Sequence, residues 1–246
     1  MFPIRDHNPS GRRPYVTFTL IALNALIFLA IWPGQPEFQI NRIFMIWGLV
    51  PARLMQGEGY ATLVSSMFLH AGWMHIFGNM LFLWIFGDNL EDEMGHIGFL
   101  LFYLLSGLAA ALAQTAMDPG SSVPMVGASG AIAGVMGGYL LLFPKARVDV
   151  LFIFVIFFRI FAIPAWIVLG VWFALQLFSG LSTPTDMGGV AYWAHAGGFA
   201  GGALFTLPAF FRRGGKGYWT RTEGHPPHAP AEYPLARSSI PRVPRR

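Results

Sequence analysis

The chain has 246 residues, of which 54% are hydrophobic and only 11% are charged, and its mean hydropathy is +0.53. Soluble domains usually carry about 25% charged residues, so this composition excludes an ordinary soluble protein and indicates an integral membrane protein. The net charge of +4 could suggest nucleic-acid binding, but the basic residues lie in tails and loops beside apolar runs, which is typical of membrane orientation. Cysteine is absent, which excludes disulfides, thiolate metal sites and a cysteine nucleophile.

Six apolar segments are close to the roughly 20 residues that a membrane-spanning helix needs. In chain order they are residues 16–32, 72–87, 97–117, 127–143, 162–178 and 193–211. The first segment follows several arginines, as in a signal peptide, but no small-residue cleavage site comes after Trp32. We therefore interpret it as a retained span.

Two connecting regions are apolar without being long enough to span. Residues 33–71 form a long outer loop, and patches such as residues 43–50 are expected to lie along the membrane surface. Residues 150–158 are predicted to lie in an interfacial connecting loop. The β-branched and aromatic content of residues 150–161 favours a hairpin there.

The distribution of basic residues predicts the orientation. Six spans with the N-terminus inside place 14 of the 16 basic residues on the inner side and only Arg42 and Arg53 on the outer side. Seven spans would put the basic C-terminal tail outside. The sequence thus predicts an all-α membrane protein with both termini cytoplasmic. It divides into an N-terminal tail (1–14), a six-helix membrane domain (15–211) and a basic, proline-rich, disordered tail (212–246).

Polar side chains within spans are costly and need a reason. Three of them, Asn24, Gln114 and Gln176, are isolated on their helices, and we interpret these as interhelical hydrogen-bonding residues. Four others share a depth, because spans two, four and six all enter from the outer side and carry them in their first turns: His75, Asn79, Ser129 and His195. Residues with unrelated packing roles would not be expected to coincide in this way.

Glycine spacing suggests how Ser129 and His195 could meet. Glycines repeat every four residues on spans four and six, which lets helix backbones approach closely; they are Gly130, Gly134 and Gly138, then Gly198 and Gly202, and also Gly197 and Gly201. If these faces pack together, Ser129 Oγ can reach an imidazole nitrogen of His195, the contact that activates a serine nucleophile. Alone, such a serine is usually a packing residue and such a histidine could be a proton relay. With no acid placed to orient the ring, we expect a dyad.

His75 and Asn79 are four residues apart and share one helical face. Their side chains could donate to the oxyanion that forms when a serine attacks a carbonyl, together with the Ser129 backbone N–H. The alternative for this pair is a local side-chain hydrogen bond.

The combined motifs resemble the rhomboid family of intramembrane serine proteases. They are residues 70–79 (HAGWMHIFGN), 91–95 (EDEMG), 127–130 (GASG) and 194–202 (AHAGGFAGG). The resemblance implies that Ser129 is the nucleophile and His195 the general base. Gly127, Gly130, Gly198 and Gly202 would allow close helix packing, and His75, Asn79 and the Ser129 backbone would form the oxyanion hole.

The resemblance also implies how the protein would work. The substrates would be single-span membrane proteins, cleaved near the outer face of a bilayer by an enzyme that resides, multi-pass, in a bacterial inner membrane. Span five with its loop would gate substrate entry. No cofactor, metal or nucleic acid is implied, and the oligomeric state stays open.

Two positions depart from the family pattern. Many members carry Trp-Arg in the first outer loop, where this chain has Ala61-Thr62, and many carry a tyrosine four residues after the serine, where it has Ala133. The first departure removes an arginine that structures the loop. The second removes the aromatic ring that stacks on the histidine.

Other functions remain as alternatives. A catalytically inactive relative that binds membrane clients would typically lack the serine or the histidine, and both are present. A transporter would more naturally show paired broken helices or charged groups at the midplane. A zinc protease is disfavoured because the chain has no H-E-x-x-H motif, and an aspartyl protease because it has no pair of acids within its spans.

Overall fold

The computed structural model describes residues 2–154, 157–183, 189–227, 229 and 231. A 3-10 turn at Ser66–Phe68 separates the fourth and fifth helices. In chain order the elements are β1 (Phe2–Asp6), α1 (Tyr15–Ile31), α2 (Glu37–Trp47), α3 (Pro51–Met55), α4 (Thr62–Ser65), α5 (Trp73–Met117), α6 (Ser129–Leu142), β2 (Arg147–Phe154), β3 (Phe157–Pro164), α7 (Ala165–Ser182), α8 (Tyr192–Arg212) and α9 (Lys216–Thr222).

Each predicted span coincides with a helical segment. Spans one, four, five and six correspond to α1, α6, α7 and α8, and spans two and three are the two halves of α5. The halves are separated by a kink at Gly95, which has φ 71° and ψ 166°. Glycine adopts this positive φ at little steric cost, so the kink falls where the sequence separates spans two and three.

Within the described residues, two helices, α5 and α7, are both long enough and apolar enough to cross a membrane. Helices α1 and α6 are also apolar but are shorter, with 17 and 14 residues. The chain is thus mostly helical with clear candidate spans, while the crossing of the membrane by all six segments stays a prediction.

The prediction of an all-α protein is wrong in one respect, because three strands form a small antiparallel sheet in the order β1-β2-β3. The predicted hairpin is confirmed: β2 and β3 pair along their whole length, with Arg147 opposite Pro164. Because Pro164 is still extended, with φ −57° and ψ 139°, α7 begins at Ala165 rather than at residue 162. Apolar character had not distinguished the end of the strand from the start of the helix.

Both tails contain structure that the sequence did not predict. Strand β1 pairs with β2, placing Phe2 opposite Leu151. Helix α9 packs its Tyr218 and Trp219 rings against Phe210, and Trp219 donates a hydrogen bond to the Leu141 carbonyl at 3.0 Å. The predicted disorder of the C-terminal tail is therefore wrong for Lys216–Thr222, whereas residues 228, 230 and 232–246 lie outside the described residues.

Helix α6 lies at the centre of the bundle, and nearly all of its residues are buried. Its glycines meet α8 backbone to backbone. A methyl group added at Gly198 would lie 2.0 Å from the carbonyl oxygen of Gly130, and one at Gly202 would lie 2.1 Å from that of Gly134. These separations are far below van der Waals contact, so any side chain at either position would force the helices apart.

The neighbouring glycines of α8 face the second half of α5. A methyl group at Gly197 would lie 2.2 Å from the Cβ of Ala113, and one at Gly201 would lie 2.8 Å from that of Ala109. Two adjacent small-residue stripes thus hold α8 closely against both α6 and α5.

The carboxylate of Glu91 caps the N-terminus of α1. It accepts hydrogen bonds from the backbone N–H groups of Val16 and Thr17, both at 2.8 Å, and from the Thr17 hydroxyl at 2.7 Å. His96 contacts the same carboxylate. An acidic group at this position satisfies unpaired amides and complements the helix dipole, which fixes α1 to the middle of α5.

The sheet lies at the end of the bundle where α6 ends, which we call the sheet end. There the Tyr139 hydroxyl donates a hydrogen bond to Asp6 Oδ2 at 2.6 Å. Asp149 of β2 accepts from Arg5 at 2.7 Å and contacts His7 at 2.9 Å. Burial beneath the bundle raises the pKa of Asp6 to about 8, with Asp88 acting in the same direction and the Tyr139 hydrogen bond opposing it.

Candidate active site

Ser129 and His195 meet at the end of the bundle opposite the sheet. Ser129 is the first residue of α6, and His195 lies in the first turn of α8. Their side chains are 2.8 Å apart, measured from Ser129 Oγ to His195 Nε2. The glycine contacts of α6 and α8 bring these two helix starts together, so the contact follows from the close approach of the backbones.

Gly127 shapes the approach to Ser129. It has φ +129°, a conformation that L side chains rarely adopt, and its N–H donates to the Ser66 carbonyl at 2.9 Å. A methyl group here would also lie 2.8 Å from His75 Nε2 and 3.6 Å from Ser129 Oγ. Glycine is therefore required both by the backbone and by the space that His75 and Ser129 share.

The hydrogen bond to Nδ1 of His75 determines which ring nitrogen can donate. Nδ1 accepts from the Ala71 backbone N–H at 3.3 Å. A neutral imidazole that accepts at Nδ1 carries its proton on Nε2, and Nε2 is the atom that lies against Gly127 beside Ser129. His75 thus presents an N–H donor to this space.

Asn79 lies one helical turn beyond His75. Its side chain is only 8% exposed, and among the described residues its amide nitrogen has no hydrogen-bond partner. A buried donor without a partner is costly, and such a group is typical of a site where a ligand supplies the missing acceptor.

Two side chains of α7 hold the ring of His195. The interhelical hydrogen bond expected of Gln176 is confirmed, although the sequence did not identify His195 as its partner and did not predict the role of Trp172. Gln176 Oε1 lies 2.7 Å from His195 Nδ1. The indole of Trp172 packs beside the imidazole, with ring centroids 5.7 Å apart and planes inclined at 36°. Because Trp172 and Gln176 are four residues apart, both project from one face of α7. That four-residue spacing was the feature of the sequence from which a shared role of Trp172 and Gln176 could have been inferred.

The other polar residues of the spans have less direct roles. Gln114 accepts from the backbone N–H of Ala194 at 3.1 Å and so fixes the start of α8 next to His195. Asn24 donates to the Leu20 carbonyl of its own helix, so the expectation of an interhelical bond is wrong for that residue. Among the described residues, no group of three His, Asp or Glu side chains is arranged to hold a metal ion.

The loop between α1 and α5 is tied to the segment that leads into α6. Arg53 donates to the Met45 carbonyl at 2.6 Å, and Ser65 donates to the Trp47 carbonyl at 2.7 Å. Leu49 forms an antiparallel bridge with Met125, just before Gly127. The loop therefore has its own side-chain bonds despite lacking an arginine at Thr62.

The Rhomboid domain family model matches residues 57–212. This chain belongs to the rhomboid family. The match contains all four polar residues of the site and the glycines of α6 and α8, and members of this family are integral membrane proteins. In this rhomboid, position 133 is an alanine, and the Trp172 ring of α7 lies beside the His195 ring.

Several curated relatives carry the same family name. The chain is 38% identical over 128 residues to "Putative rhomboid protease YdcA" of Bacillus subtilis, covering 52% of this chain and 61% of that protein. It is 31% identical over 128 residues to "Rhomboid protease GluP" of the same organism, covering 52% of this chain and 24% of that protein.

A plant relative is also similar. "Rhomboid-like protein 11, chloroplastic" of Arabidopsis thaliana is 32% identical over 132 residues, covering 53% of this chain and 43% of the relative. The matched segment thus spans less than two thirds of each of these three proteins.

Proposed function

We propose that this rhomboid is an intramembrane serine endopeptidase in which Ser129 is the nucleophile and His195 the general base. The observation that carries the proposal is the 2.8 Å contact between Ser129 Oγ and His195 Nε2, with Nδ1 of the same ring bonded to the Gln176 carbonyl. An imidazole that donates from Nδ1 has a free lone pair on Nε2, and that lone pair can accept the serine proton.

The reaction would proceed through an acyl-enzyme. Ser129 Oγ attacks the peptide carbonyl carbon while its proton moves to His195 Nε2. The tetrahedral intermediate collapses, the C–N bond breaks, and the proton on Nε2 passes to the leaving amine. Water then attacks the Ser129 ester with His195 again accepting a proton, and the carboxylic acid product leaves with Oγ reprotonated.

Three donors would bind the oxyanion: the Ser129 backbone N–H, His75 Nε2–H and the Asn79 side-chain amide. Support comes from the position of His75 Nε2 against Gly127 and from the absence of a partner for the Asn79 nitrogen among the described residues. The Ser129 N–H lies at a helix N-terminus, where the dipole favours negative charge.

The proposed substrates are single-span membrane proteins, cleaved near the outer face of the bilayer. Six spans with both termini cytoplasmic would place the Ser129 end of the bundle outside and the sheet end inside. The protein itself would be a multi-pass protein of a cell membrane of bacterial type. Support comes from the six helical segments and from the excess of basic residues on the side predicted to be inner.

Reconstitution in liposomes with a labelled single-span substrate tests this proposal. The unmodified chain should cleave the substrate, and Ser129→Ala and His195→Ala should each lose essentially all of this activity. Cleavage that survives in Ser129→Ala would rule out the mechanism. Binding of the substrate without any cleavage by the unmodified chain would instead favour the client-binding alternative.

A further inference from the structure

Helix α7 contacts the proposed base through two side chains, whose role in catalysis depends on the proposed function. Gln176 Oε1 is 2.7 Å from His195 Nδ1, and the Trp172 ring lies beside the imidazole. Both side chains are half-buried and lie on one face of α7. The helix on which they lie is separate from those that carry Ser129 and His195.

The Gln176 carbonyl can select the productive tautomer of His195. An acceptor at Nδ1 holds the proton there and leaves Nε2 free to accept from Ser129. Without this acceptor the neutral ring could carry its proton on Nε2 and donate to Ser129 instead. In serine proteases with a triad an acid performs this role; Gln176 occupies the equivalent place here without adding a charge.

Trp172 restricts rotation of the imidazole. Position 133 of α6 is occupied by a fully buried alanine, which is too small to stack on His195. The Trp172 indole also packs near Phe199 of α8, with centroids 6.2 Å apart. The ring plane of His195 is therefore limited by an aromatic residue from a different helix than the resemblance implies.

The opposite side of α7 has little protein around it. Val171, Leu175 and Phe178 are 43%, 53% and 68% exposed. Helix α7 is thus held chiefly along its inner face, where Trp172 and Gln176 lie, and its position relative to α8 determines whether both groups reach His195.

We infer that Gln176 and Trp172 are positioning residues that set the tautomer and the ring plane of His195, so that the base is competent only while α7 is docked against α8. This role goes beyond the dyad and the oxyanion donors. It assigns a function in proteolysis to a glutamine that carries no charge and does not contact the reacting atoms.

Kinetics of Gln176 variants in the full chain test the inference. Gln176→Leu should lower kcat about 10- to 100-fold with little change in KM, because a misoriented base slows the chemical step. Gln176→Glu should retain most of the activity that Gln176→Leu loses. The acid limb of its pH profile should lie at higher pH than in the unmodified chain, since a carboxylate favours the imidazolium. Trp172→Ala should also lower kcat.

Asn24→Leu is the matched control, because Asn24 is a buried amide within a span that bonds only to its own helix among the described residues. It should retain activity within about twofold of the unmodified chain. Activity of Gln176→Leu equal to that of Asn24→Leu would overturn the inference while leaving the dyad proposal intact. So would a pH profile that is the same for Gln176→Glu and the unmodified chain.

An assay that needs no cleavage separates the two proposals. In ¹⁵N-histidine-labelled protein reconstituted in lipid, the His195 signals are identified by their loss in His195→Ala. At neutral pH they should show a protonated Nδ1 and an unprotonated Nε2, and Gln176→Leu should shift the ring toward the other tautomer. A protonated Nε2 in the unmodified chain, or no change on substitution, would overturn the inference even if no substrate is ever cleaved.

Discussion

Gly198 of α8 lies directly against the carbonyl oxygen of Gly130 in α6, with room for hydrogen but not for a methyl group. This contact is one turn beyond His195 and one residue beyond Ser129. The distance between nucleophile and base therefore depends on the absence of a side chain at Gly198.

Gly198→Ala should separate α6 from α8 and break the Ser129–His195 contact. We expect a loss of at least 100-fold in kcat, together with a loss of about 1–3 kcal/mol in the free energy of unfolding from overpacking. Proteolysis assays and unfolding in mild detergent measure both. Gly170→Ala is the control, because a methyl group there has no atom within 4 Å; equal behaviour of the two variants would contradict the prediction.

Asn79→Ala should act on the transition state rather than on folding. Removing one oxyanion donor typically costs about 100- to 1000-fold in kcat, and we expect a value in this range with KM nearly unchanged. Stability should change little, because Asn79 Nδ2 has no partner among the described residues that the substitution would orphan. An unchanged kcat in single-turnover measurements would remove Asn79 from the proposed oxyanion hole.

Glu91→Ala should reduce stability more than it reduces the chemical rate. The substitution leaves the N–H groups of Val16 and Thr17 without their acceptor, and hydrogen bonds to a charged group contribute about 1.5–3 kcal/mol. We expect a loss of that size in the free energy of unfolding. Glu37→Ala, in the exposed first turn of α2, should cost far less, and similar losses in both variants would argue against a specific cap.

Asp6 should make the stability of the protein dependent on pH. Its folded-state pKa of about 8 lies above its ordinary value of 3.8, so the folded state holds the proton more tightly than the unfolded state. Stability should therefore fall as the pH rises from about 4 to about 8, by at most about 1.4 kcal/mol per pH unit. Unfolding of Asp6→Asn should be flatter over this window, and identical slopes for both proteins would contradict the assignment.

Much of the helical architecture could be read from the sequence, because long apolar runs have few alternatives in a bilayer. The approach of Ser129 to His195 was also within reach, since the glycine spacing of spans four and six specifies which faces can pack closely. The contact of Gln176 with His195 could not be predicted, because a single polar residue on an apolar helix does not reveal how that helix is rotated about its axis. The contact with His195 depends on that rotation.

Strand β1 and helix α9 could not be predicted from the sequence for a different reason. Strand β1 pairs with a strand about 145 residues later in the chain, and nothing in residues 2–6 alone identifies that partner. Helix α9 is seven residues long and bounded by glycines and prolines, so local composition favoured disorder. In both cases the structure results from contacts with distant parts of the chain, β1 with β2 and Tyr218 with Phe210, rather than from local propensity.

The pairing of β1 with β2 constrains the order in which the protein can be assembled. During synthesis residues 2–6 leave the ribosome long before residues 147–154 exist, so Asp6 cannot reach Tyr139 until α6 is in place and cannot be enclosed by the sheet until β2 follows. The closing of such a long loop carries an entropic cost that only the completed contacts offset. Residues 2–6 of this rhomboid are thus made before both of their partners and are among the last residues to be packed.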